Sequence, residues 1–152
     1  MSDLDHARLG VITQEFFECE YLERVAGASR DLWEGISYGA QCSVLFCLPI
    51  SCNEGTGIWC TFLYDTGSKL NYVSPETYEK LGVDVMGASS KMKVKINGIE
   101  TFVYSSEFEP RAKGINILGD EFLSSFDCTL SLRYRNGKCT PRIINDTPTP
   151  GP

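Results

Sequence analysis

The chain has 152 residues, 42% apolar and 22% charged, with a formal charge of −6, which fits one soluble domain with a sizeable core and some terminal extension. That acidic balance argues against neutralising phosphates. The one dense basic stretch, residues 133–142, reads as a solvated hairpin face, so no nucleic-acid partner is expected. No apolar run approaches the roughly 20 residues that span a bilayer, so no membrane association is expected either.

Met1-Ser2-Asp3-Leu4-Asp5 lacks the basic-then-apolar pattern of a secretory signal. This points to an intracellular, cytoplasmic protein unless the chain is excised from a longer precursor. Residues 11 to about 33 read as helical, with Phe16, Phe17, Tyr21 and Val25 at three- and four-residue steps and a break at Gly27. Residues 35–39 read as a linker. Residues 1–39 are therefore expected to be a helical extension, a candidate surface for a protein partner, ahead of a domain at 40–145.

Beyond Ala40 the pattern turns to strands. Residues 44–50 are nearly all apolar, residues 53–57 are rich in turn formers, and residues 58–64 are apolar again, which predicts a hairpin. The second strand runs directly into Asp65-Thr66-Gly67-Ser68. A short extended piece at 70–73 precedes a helix with Ser74 as N-cap, Pro75 at its first position, Glu76 at the positive dipole end and Gly82 as terminator. Residues 92–96 and 99–104 flank Asn97-Gly98, and residues 129–134 and 138–144 flank Asn136-Gly137, two strong hairpin signals. Between them lie Ile117-Leu118-Gly119 and a short helix over 121–126. The Pro/Thr-rich tail, 146–152, reads as disordered.

Seven cysteines occur without a C-x-x-C pair, so neither a metal site nor a cofactor is expected and the thiols read as small hydrophobes in a reducing compartment. The sole histidine, His6, sits near the N-terminus, which excludes Ser-His-Asp and Cys-His hydrolases. Catalysis by this chain has to use carboxylates.

Asp65-Thr66-Gly67-Ser68 after the apolar Phe62-Leu63-Tyr64, and Ile117-Leu118-Gly119 some fifty residues later followed by a helix and a strand, together resemble the retropepsin family. That family comprises the proteases of retroviruses and LTR retrotransposons and their cellular relatives. The resemblance covers about two thirds of the chain and implies a mostly β, acid-protease barrel, one lobe per subunit of a homodimer. It implies catalytic Asp65 and, beside it, Thr66 bonding across to the partner's loop, Gly67 letting a backbone N–H support the carboxylate, and the Ser68 hydroxyl bonding its outer oxygen. Leu63, Ile117, Leu118 and Gly119 would support the loop and the substrate.

The chemistry is consistent with that. Peptide hydrolysis by carboxylates alone needs two that share one proton, one acting as base on water while the other donates to the carbonyl. The chain has one Asp-Thr-Gly, since Asp146-Thr147 is followed by Pro148, so the second carboxylate would come from another copy across a two-fold axis. The chain departs from the family pattern at residues 83–90, where a long flap hairpin has room only for a stub. Three readings stay open: a homodimeric aspartic endopeptidase, a domesticated dimer serving as an interaction module, and a monomeric β-barrel that contains Asp-Thr-Gly.

Overall fold

The computed structural model describes residues 4–17, 19–25, 32–39, 43–52, 57–82, 91–106 and 114–147. In chain order the elements are α1 (His6–Phe17), β1 (Arg24–Val25), β2 (Leu32–Glu34), β3 (Ile36–Tyr38), β4 (Ser43–Ser51), β5 (Gly57–Tyr64), β6 (Tyr72–Val73) and α2 (Pro75–Lys80). They continue with β7 (Lys91–Ile96), β8 (Ile99–Ser105), β9 (Ile117–Leu118), α3 (Asp120–Leu123), β10 (Cys128–Arg135) and β11 (Lys138–Asn145). The fold is mostly β.

The two apolar runs pair antiparallel as β4 and β5, from Val44 opposite Tyr64 to Ile50 opposite Ile58. Near-continuous apolarity means burial on both faces. Phe46, Leu48, Cys60 and Phe62 point into a core shared with Trp33, Val94, Val103, Leu118, Phe122 and Ile143. Leu45 and Leu63 point the other way, into a second core with Leu4, Leu9, Ile12, Ile115 and Ile117. Helix α1 therefore closes the outer face of the strand that leads to Asp65.

The large sheet runs β1-β5-β9-β6-β8-β7-β4-β3, with β4 and β5 also paired; a second sheet runs β10-β11-β2. Both Asn-Gly turns adopt the positive φ values that hairpins favour, 50° and 86° at Asn97 and Gly98, 53° and 76° at Asn136 and Gly137. In α2, Ser74 caps the helix by accepting from the Thr77 N–H, and Pro75 occupies the first turn.

The N-terminal third departs from expectation. Helix α1 stops at Phe17, and no helix continues towards Trp33 among the described residues. Leu22 takes a φ of 65°, its N–H donates to the Trp59 carbonyl at 2.7 Å, and Trp59 donates back to Glu23 at 2.9 Å. The open edge of β5 captures this backbone, and long-range pairing overrides local helical periodicity. Nor are residues 35–39 a linker: β3 pairs with β4, while β2 pairs with β11 in the other sheet. Gly35 is the crossing point, where a β-carbon would stand 2.3 Å from the Leu45 carbonyl oxygen. The short helix expected over 121–126 occupies Asp120–Leu123. The expected turn at 53–56, the segment 83–90 and the tail from 148 lie outside the described residues.

Candidate active site

Three strands hold Asp65. β9 lies between β5 and β6, parallel to the first (Leu63 opposite Ile117, Tyr64 opposite Leu118) and antiparallel to the second (Tyr72 opposite Ile117). The Asp65 N–H donates to the Leu118 carbonyl at 3.1 Å, so the apolar-apolar-Gly segment anchors the aspartate directly. The chain then turns back: Ser68 N–H donates to the Asp65 carbonyl at 3.1 Å, and Gly67 N–H donates to Asp65 Oδ1 at 2.9 Å.

The loop crosses directly over Gly119. A β-carbon there would stand 2.2 Å from the Leu70 carbonyl oxygen and 2.8 Å from that of Ser68, a separation only glycine permits. The first N–H groups of α3 close the crossing, Asp120 donating to Ser68 O at 2.9 Å and Glu121 to Lys69 O at 2.8 Å. Leu63, Asp65, Gly67, Ser68, Ile117, Leu118 and Gly119 are thus assembled at one place. Thr66 is exposed at the loop tip.

Ser68 behaves differently from expectation. Its hydroxyl donates to the Leu70 carbonyl at 2.7 Å, closing the bend over residues 69 and 70, so its proton is not directed at the Asp65 carboxylate. Tyr64, next to the aspartate, has its phenol pKa raised by burial and then by the nearby Asp120 and Cys128.

Two buried asparagines complete the site. Asn71 accepts the Gly119 N–H at 2.8 Å and donates to Thr101 Oγ1 at 3.2 Å and Phe102 O at 3.0 Å. Asn116 accepts from Ser74 N–H (2.9 Å) and Thr77 Oγ1 (2.8 Å), and donates to Thr61 O (3.2 Å) and the Tyr21 hydroxyl (2.5 Å). Asn116 fills all four of its hydrogen-bonding positions and Asn71 three, tying β5, β9, α2 and the N-terminal segment together beneath the loop. Burial pushes the Tyr21 phenol pKa far up, so it stays a neutral hydroxyl. Neither asparagine stands out in the sequence, where a lone Asn between apolar residues reads as a loop signal.

The chain shares its fold with a solved protein. A retropepsin-like aspartic protease from Rickettsia conorii aligns over 79% of this chain and 99% of its own, at a TM-score of 0.50 and 16% identity. The fold is retropepsin-like. No protein-family model matches the sequence, and no curated protein matches it. Among the described residues, no helix is long and apolar enough to cross a membrane, and Cys19, Cys47, Cys52, Cys60, Cys128 and Cys139 are free thiols.

Proposed function

We propose that the chain is an aspartic endopeptidase of the retropepsin type, working as a homodimer in which two Asp65 carboxylates face each other. The observation that carries this is the Asp65 loop: an aspartate at the end of a strand buried on both faces, anchored through Leu118, with the Gly67 N–H on Oδ1. The likeness of fold to a protein described as an aspartic protease supports it.

In this reading the two carboxylates hold one proton between them, because like charges so close do not both ionise; in such pairs the apparent pKa values lie about three units apart and belong to the pair. The ionised member takes a proton from water as the oxygen attacks the scissile carbonyl. The protonated member donates to the carbonyl oxygen. Collapse of the tetrahedral intermediate returns a proton to the amide nitrogen, and the peptide bond breaks. Activity leans to acid, since a doubly ionised pair has no proton to donate.

Asp65→Asn tests it: hydrolysis of a library of extended, apolar-rich peptides over about pH 4 to 7 should fall by about a thousandfold or more. Equal cleavage by wild type and variant sinks the reading. A second reading, a retropepsin-fold dimer that binds partners without cleaving, is favoured by one feature, the short connection of residues 83–90 where a lid would sit. A substrate-mimicking inhibitor binding tightly at Asp65 argues against it.

A further inference from the structure

The β10–β11 hairpin has two unlike faces. Ile143, with Leu130 packed against it, turns to the core, so the alternate residues of both strands turn outward. The register sets Arg142 opposite Ser131, Thr140 opposite Arg133 and Lys138 opposite Arg135, and cross-strand partners share a face. A basic stretch that reads in the sequence as evenly solvated is therefore gathered onto one side. Arg133, Arg135, Lys138 and Arg142, with Thr140 and Asn136 of the turn, line a recess of about 340 Å³, within the roughly 300–1,000 Å³ of small-molecule sites.

This arrangement is unfavourable in the free chain. Arg135 and Lys138 are like charges set directly across the ladder, which destabilises a strand pair. The chain has 20 acidic residues, yet among the described residues the one ion pair on this face joins Arg142 to Glu34 of β2, at 2.8 Å. Arg133, Arg135 and Lys138 have no carboxylate there, and the buried Nε of Arg142 has no acceptor. A local conflict left uncompensated inside the fold marks a place that an outside group completes.

The lining says which group. Three guanidiniums present planar forks to anionic oxygens, and Lys138 adds a point charge. All four cations fall on three successive outward rungs of the hairpin, about 7 Å apart, which suits a compact anion of several charges. A long polyanion would run past the hairpin onto a chain whose net charge is −6 and be repelled. No aromatic ring lines the recess to stack a base, and no apolar group lines it to enter a bilayer.

We propose that the outward face of the β10–β11 hairpin is a binding site for a compact polyphosphate, a small molecule with two or three linked phosphates, gripped by Arg133, Arg135, Lys138 and Arg142. The proposal does not rest on the Asp65 reading, and its failure leaves that reading standing.

Titration calorimetry of the full chain with tripolyphosphate tests it. Binding should persist at about 0.15 M salt and be about tenfold tighter than that of inorganic phosphate, which is too small to reach all four cations. A nucleoside triphosphate should bind no more tightly than tripolyphosphate. Arg133→Gln and Arg135→Gln should each weaken binding about tenfold, and Lys93→Gln, on β7, should leave it unchanged. Glu34→Gln, which removes the competing carboxylate from Arg142, should tighten it several-fold. Independently, Lys138→Glu should raise the melting temperature of the free chain, by ending the like-charge pair, and abolish binding. No binding at that salt, or binding unmoved by the Arg133 and Arg135 variants, overturns the proposal. So does a glutamate-rich peptide or a single-stranded oligonucleotide that binds more tightly than tripolyphosphate.

Discussion

A β-carbon on Gly67 would meet only Asp65 Oδ1, at 3.3 Å, whereas one on Gly119 would run into two backbone oxygens. Backbone cannot rotate aside as a side chain can. Gly119→Ala is therefore expected to cost about 3 kcal/mol or to abolish folding, and Gly67→Ala less than about 1 kcal/mol, as read by urea denaturation. Asn116 extends the same reasoning to polar groups. Asn116→Ala takes the acceptor from the Ser74 N–H and one of several partners from the Thr77 and Tyr21 hydroxyls in a dry interior and should cost about 3 kcal/mol; Tyr21→Phe, which removes one acceptor, should cost about 1 kcal/mol by the same measurement. At this scale the legibility of the sequence divides sharply. Asp65, Gly67 and Gly119 could be found because their spacing from apolar strands is itself informative. Asn71 and Asn116 could not, because what they hold lies 30 to 95 positions away and nothing local marks a buried asparagine.

Elements closed by their own residues are the ones the sequence reveals. The β7–β8 and β10–β11 hairpins carry their Asn-Gly turns, α2 carries its Ser-Pro start, and each forms as expected. Strands β1, β2 and β3 are only two or three residues long and owe their conformation to distant edges, so helical periodicity misled there. Only residues 11–17 of helix α1 were legible as helix, and its target was not, since an apolar stripe does not say what it covers. It covers Leu45, Leu63, Ile115 and Ile117, and the Thr13 hydroxyl meets that of Thr61 in β5. Deleting residues 1–22 should accordingly lower the melting temperature by ten degrees or more, or leave an aggregating chain, as scanning calorimetry would show. An unchanged melting temperature would make α1 a removable appendage.

Across the molecule, burial holds several thiols and phenols in their neutral forms. Burial pushes the Cys47 thiol up to about 12 from 9.0 and the Tyr78 phenol up to about 12 from 10.0, and raises Cys60 well above its ordinary value. Each of these groups loses a proton more readily in the unfolded chain than in the fold. The stability they contribute is complete below about pH 9, and it is lost as pH rises from there towards 12. The melting temperature should hold between about pH 7 and 8.5 and fall steadily above 9, with Cys47→Ser flattening the decline. A profile flat to pH 11 would place these groups in water.

The insertion of β9 between β5 and β6 has a kinetic consequence. Its partners in β5 precede it by 54 positions, Leu63 against Ile117, and the parallel pair cannot close until a long, costly loop has closed first. The β4–β5 and β7–β8 hairpins have no such wait. The strand that delivers Asp65 is thus built early, while the turn that aims its carboxylate is set only when the last third of the chain arrives. On an emerging polypeptide, the aspartate stays unaimed until synthesis has passed Gly119. A chain that folds in this order sets the Asp65 turn only when nearly everything around it is in place.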